Sequence, residues 1–146
     1  MVHKLLVALI LLVLPACGSG GGGVEDEPGS ASTPAAAGPL VVLLRYGGIA
    51  GSNDRVSVDA LGVATVISDR SPNASTRTLS AADLATLRTA LQRAEIATLQ
   101  RNYLDRQARD AYQYDVTYQG VTVTADEGVI PATLRPVVDQ LTKLIS

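Results

Sequence analysis

Histidine and cysteine are almost missing from this chain. Its 146 residues hold one of each, His3 and Cys17, and both fall at the very start. A single cysteine excludes a disulfide within the chain, so stability has to come from packing. From Gly18 onward there is neither an imidazole nor a thiol. That excludes serine or cysteine nucleophiles paired with histidine, and zinc held by imidazole or thiolate. Long apolar runs are missing as well: Leu5 to Leu14 is well short of the roughly 20 residues a helix needs to span a bilayer. A cationic excess is also lacking, with 12 Lys plus Arg against 14 Asp plus Glu, which argues against a nucleic-acid partner.

What the N-terminus does contain is a secretory layout. His3 and Lys4 precede the apolar run, and Pro15-Ala16-Cys17 follows it. Leu14-Pro15-Ala16-Cys17 resembles the lipobox of bacterial lipoproteins. That resemblance implies a signal peptide over 1–16, cleavage before Cys17, and lipid on the sulfur and new amino group of Cys17. The protein is then expected on the cell membrane or outer membrane, lipid-anchored and facing the extracytoplasmic side. Several acyl chains hold far better than one, at about 0.8 kcal/mol per buried methylene. The run Gly18 to Pro39, GSGGGGVEDEPGSASTPAAAGP, has too little apolar surface to offset its ordering entropy. Residues 17–39 therefore read as a lipidated cysteine and disordered tether, with a reach of roughly 25 Å. Glu25, Asp26 and Glu27 lack the spacing of a calcium loop.

The length remaining, 40–146, suits one small domain. Leu40 to Tyr46 is β-branched and apolar, Arg55 to Asp59 and Gly62 to Ser68 continue as strands, and Ser68 to Thr76 reads as a loop. Ser80, followed by Asp83, opens an amphipathic helix with Leu84, Leu87, Leu91 and Ala94 on one face. In AYQYDVTYQGVTVTADEG, Tyr112, Tyr114, Val116 and Tyr118 alternate with polar residues, and Gln119-Gly120 predicts a two-residue hairpin turn. A last helix is expected with Thr133 as its cap, Pro136 in its first turn, and Val137 or Val138, Leu141 and Leu144 facing inward. The expected fold is α+β: an antiparallel sheet of about five strands in the order βββαββα, with two helices packed on one face.

Three kinds of chemistry can be weighed from these residues. RYGGIAG, Arg45 to Gly51, carries three glycines, yet it fails as a phosphate loop. No Lys-Ser/Thr follows it, and Ser52-Asn53-Asp54 leads into a strand rather than a helix. The dinucleotide fingerprint fails on spacing. Asp105 with Asp110, or Asp126 with Glu127, could serve as the acid and base of a glycosidase, but exposed ion pairs in loops explain them more simply. No cofactor, no metal site and no catalytic residue is expected.

Three segments together resemble the emfourin-like domain, a family of small proteins that inhibit thermolysin-like metalloproteases. They are RYGGIAG after the first strand, DAYQYDVTY, and the closing run ADEGVIPATLRPVVDQL, spanning nearly all of Leu40 to Ile145. The closing run, from Asp126-Glu127-Gly128 through Pro131, Leu134, Pro136 and Leu141, is the most specific of them. The resemblance implies a proteinaceous inhibitor that occludes an active site rather than performing chemistry, with the membrane bound through Cys17 and a thermolysin-like protease as partner. The inhibitory loop it points to runs from Tyr46 to Asn53: Tyr46, Gly47, Gly48, Ile49, Ala50, Gly51 and Asn53. Ile49 has the branched apolar side chain that such enzymes accept just after the cleaved bond. The alternative is a non-catalytic binding or assembly module of the cell envelope with the same fold.

Overall fold

In the computed structural model, residues 38–145 are described. The expected signal peptide, Cys17 and nearly all of the tether lie outside the described residues. Within them the chain runs β1 (Val41–Gly47), β2 (Ser52–Val58), β3 (Val63–Ser68), β4 (Ser75–Thr78) and α1 (Ala81–Ala94). It continues through β5 (Asn102–Tyr103), β6 (Tyr112–Tyr118), β7 (Val121–Asp126) and α2 (Arg135–Thr142). Short 3-10 turns cover Ile96–Thr98 and Glu127–Val129.

The strands form one seven-stranded sheet in the order β4-β3-β2-β1-β6-β7-β5. Every neighbouring pair is antiparallel except β5 and β7, which run parallel. Five antiparallel strands in the order βββαββα are therefore not what the chain forms: the sheet is mixed, and the order is ββββαβββα. The two extra strands show why they are hard to read from sequence. β4 is Ser-Thr-Arg-Thr, fully exposed and without an apolar alternation, and its place comes from pairing with the edge of β3. β5 is only Asn102 and Tyr103, held beside β7 by a tertiary contact that includes the Thr124 amide donating to the Arg101 carbonyl at 2.8 Å.

The two-residue period puts one face of the sheet under the helices. Val41 and Leu43, Val56 and Val58, Ala64 and Val66, Val116, and Val123 and Ala125 are all buried there. Leu87, Leu91 and Ala94 of α1 and Val137, Val138 and Leu141 of α2 complete the same core. A buried aliphatic side chain of this kind contributes about 1.5–3 kcal/mol, which is how a disulfide-free domain of this size holds together. α1 begins where Ser80 Oγ accepts the Asp83 amide at 3.1 Å. Thr133 does not cap α2: Leu134 occupies that position without a side-chain hydrogen bond, and Pro136 falls in the first turn. The other face carries Val42, Leu44 and Tyr46 on the central strand, and among the described residues no helix covers it.

Strand direction sorts the connections into two ends. The chain comes into the sheet at Val41, at the end that also carries the Gln119-Gly120 turn. Residues 48–51, 69–74, 104–111 and the Glu127–Val129 turn all lie at the opposite end. Of the exposed large apolar side chains, Ile49, Leu104 and Val129 belong to that opposite end.

Candidate functional site

Of the predicted loop, residues 48–51 alone leave the ladder. Tyr46 and Gly47 finish β1, Asn53 belongs to β2, and Gly47 pairs with Ser52. The turn closes through the Gly51 amide donating to the Gly48 carbonyl at 3.0 Å. Gly47, Gly48 and Gly51 have φ of 94, 70 and 63°, the left-handed region that side chains other than glycine rarely occupy. Ile49 sits at the apex and is 91% exposed, the most exposed large apolar side chain among the described residues. Ala50 beside it is also exposed.

The apex is free, but its base is tightly held. The Gly48 amide donates to the Ala111 carbonyl at 3.0 Å, just before β6 begins. A side chain at Gly47 would meet that same carbonyl oxygen at 2.8 Å, and one at Gly48 would meet the Tyr112 ring at 2.8 Å. Glycine is needed at both positions for close approach as well as for backbone conformation. On the other strand, the Asn53 amide donates to Asp69 Oδ2 at 2.9 Å, and Asp69 returns its own amide to the Asn53 carbonyl at 3.2 Å. Tyr46 reaches across the face opposite the helices, its hydroxyl 3.4 Å from Asp115 Oδ1. Burial, and then the Asp115 charge, raise the Tyr46 pKa above its ordinary value.

Beneath the loop, on the helix-covered face, lies a buried ion pair. Asp54 is fully buried, and its Oδ2 accepts from Arg45 Nε at 2.9 Å and Nη2 at 2.6 Å. Arg70 Nη2 approaches the same oxygen at 3.4 Å. Arg45 in turn lies over the Tyr112 ring, 4.8 Å from its centre, so one guanidinium joins the carboxylate to the ring that packs on Gly48. Tyr114 is tilted against Tyr112 at 6.4 Å between centroids. Burial pushes its hydroxyl upward in pKa, with Glu127 adding to that and Arg45 opposing it.

Burial acts most strongly on Asp54 and would raise its pKa. Ser68 and Arg45, with the Arg70 charge, outweigh it and hold the carboxyl below its ordinary value. Ser68 faces Asp54 across the β2–β3 pair. Arg45 forms the directed bonds, both to Oδ2, while among the described residues Asp54 Oδ1 has no hydrogen-bond partner.

The sequence signal for this foundation is phase. Asp54 is in step with Val56 and Val58, and Arg45 with Val41 and Leu43. Both polar residues thus fall on the buried face. Tyr112 and Tyr114 occupy the same face on β6.

The carboxylates considered for acid and base work take other roles. Asp126 accepts the Asp105 amide at 2.7 Å and Gln113 Nε2 at 2.7 Å, and Asp105 accepts the Gln107 amide at 2.9 Å. The exposed loop ion pairs expected for Asp105 and Asp110 do not form: among the described residues the ion pairs are those of Arg45 and Arg70 with Asp54. Nor do the described residues include a cluster of three or more groups able to hold a metal ion. What the arrangement offers is an exposed apolar side chain at the apex of a turn whose base is held by hydrogen bonds. No family model and no curated protein matches this chain, so the functional reading rests on that geometry and on the sequence pattern.

Proposed function

We propose that this protein is a membrane-tethered, emfourin-like inhibitor of an extracytoplasmic thermolysin-like metalloprotease, acting by occlusion of the active site with the loop around Ile49. The observation that carries the reading is the pairing of opposites at that loop. Ile49 is 91% exposed, while the strands below it are held by a fully buried carboxylate and a pinned backbone. An apolar side chain held out on a turn with a pinned base can serve as an anchor, and such presentation lowers the entropy lost on binding. Ile49 would fill the pocket that receives the residue after the cleaved bond, and the flanking glycines would let the backbone approach the zinc-bearing cleft closely.

The topology supports the tethered form. The chain comes into β1 at Val41, and the seven residues of that strand lead to the loop. At about 3.3 Å per residue, the tip stands roughly 20 Å from the point where a tether on Cys17 would join the sheet. A lipid anchor and a protease can then occupy opposite ends of the domain.

The test is a titration of the full-length protein in detergent against thermolysin and related enzymes, with a small zinc-directed active-site ligand as competitor. Inhibition that the competitor relieves is expected. Full protease activity at micromolar excess against several such enzymes would remove this reading and leave a non-inhibitory envelope binding module.

A further inference from the structure

The sheet face opposite the helices has no role in the occlusion just described. β1 is apolar on both sides: Val41 and Leu43 enter the core, while Val42 and Leu44 lie on the other face. Such a strand is usual where both faces are covered, yet among the described residues no helix lies over Val42 and Leu44. Leu44 is half-buried, and Ile67 on the same face of β3 is 51% exposed.

Strand register fixes what surrounds them. From β3 through β2, β1 and β6 to β7, one row across the sheet reads Ile67, Arg55, Leu44, Asp115, Thr124. Leu44 therefore stands between a cation on one side and an anion on the other. Arg55 is exposed and forms no ion pair among the described residues. Asp115 takes the Thr124 hydroxyl at 2.7 Å and the Tyr46 hydroxyl at 3.4 Å through Oδ1, and neither reaches its Oδ2.

This row is complementary to itself. When two copies stack on this face, a twofold axis parallel to β1 exchanges the β2 side with the β6 side. Leu44 then meets Leu44, and Arg55 of each copy meets Asp115 of the other. An axis running across the strands would set Arg55 against Arg55, so the charges select one arrangement. Stacked sheets lie about 10 Å apart, a gap that an arginine and an aspartate together span. The five longer strands cover roughly 24 by 20 Å, about 1,000 Å² from two copies, the size at which specific interfaces begin.

We propose that this face is a self-association surface, on which two copies pair about an axis along β1 with Leu44 at the centre and reciprocal Arg55–Asp115 contacts beside it. Such pairing is independent of the protease reading. Because the axis follows the strands, both glycine loops lie at one end of the pair and both chain entries at Val41 lie at the other.

The experiment is sedimentation of the full-length protein in detergent, at micromolar concentration and low salt. Wild type, Arg55→Glu, Asp115→Arg and an equimolar mixture of the two variants are compared, with melting temperatures to confirm folding. Wild type is expected to dimerise, and each variant alone to associate at least about tenfold more weakly. The mixture should recover the dimer, because one contact then pairs the two new charges and the other keeps both native ones. High salt should weaken the wild-type dimer. A short bis-maleimide should also join Leu44→Cys to itself above the wild-type background from Cys17, and should not join Thr86→Cys on α1. If Asp115→Arg melts early, that cross-linking comparison decides. A monomeric wild type, single variants that dimerise like wild type, a mixture of folded variants no stronger than its components, or Leu44→Cys that cross-links no better than Thr86→Cys would each overturn the proposal.

Discussion

The glycine loop and the Gln119-Gly120 turn both join neighbouring antiparallel strands, yet they are built on different principles. Gln119 and Gly120 have φ of 50 and 77°, the pair of positive values that a two-residue hairpin demands, and no atom stands within 4 Å of where a Gly120 side chain would begin. That turn is determined by its own residues. At 48–51 the local residues permit the turn, but Ala111, Tyr112, Asp69 and the Arg45–Asp54 pair hold it. A connection that only joins strands needs no such foundation; the glycine loop, which exposes an isoleucine at its apex, has one.

The largest effect should come from removing the foundation. Asp54→Ala leaves Arg45, which is 14% exposed, beside an empty buried site, and is expected to lower unfolding stability by about 3–5 kcal/mol in urea titration. A loss below about 1 kcal/mol would mean that the pair is ornamental to the fold.

The two turns can then be compared directly through their glycines. Gly120→Ala should cost about 1–2 kcal/mol, the left-handed backbone penalty alone. Gly47→Ala carries a similar penalty and also drives a methyl group against the Ala111 carbonyl, which adds about 1–3 kcal/mol of overpacking. Equal losses at the two positions would dissolve the contrast between a local turn and a supported one.

Acid gives a smaller and graded test. Asp54 is held below its ordinary pKa, so its ionised form favours folding. That contribution is complete above the unfolded value of about 3.9 and is lost as pH falls through the lower folded value. The melting-temperature gap between wild type and Asp54→Asn should therefore hold from neutral pH down to about pH 4 and narrow below it. A gap that stays constant in acid would contradict the ionic account.

How much of this is legible in the sequence follows from how local each feature is. The helix after Ser80 and the β6–β7 hairpin announce themselves by cap, period and turn residues, and the register places Tyr118 opposite Val121 and Val116 opposite Val123. β4 and β5 do not, because a polar tetrapeptide and a dipeptide acquire strand geometry only from the edges they join. The same limit applies to the site. RYGGIAG shows a turn with Ile49 at its centre, but the isoleucine's exposure and the support from residues as distant as Tyr112 come from the structure. Arg45 and Asp54 carry the one local clue, their phase with buried valines and leucine. Polar residues at buried phase are where the apolar pattern breaks down, and here that break coincides with the tip.

If the loop is the docking tip, Ile49→Asp separates binding from folding. At an apex exposed to this degree the change should alter stability by no more than about 0.5 kcal/mol. Inhibition of a thermolysin-like protease should weaken at least about 30-fold, the ratio that corresponds to about 2 kcal/mol for a binding hot spot. An Ile49→Asp protein that melts like wild type and inhibits like wild type would contradict the account.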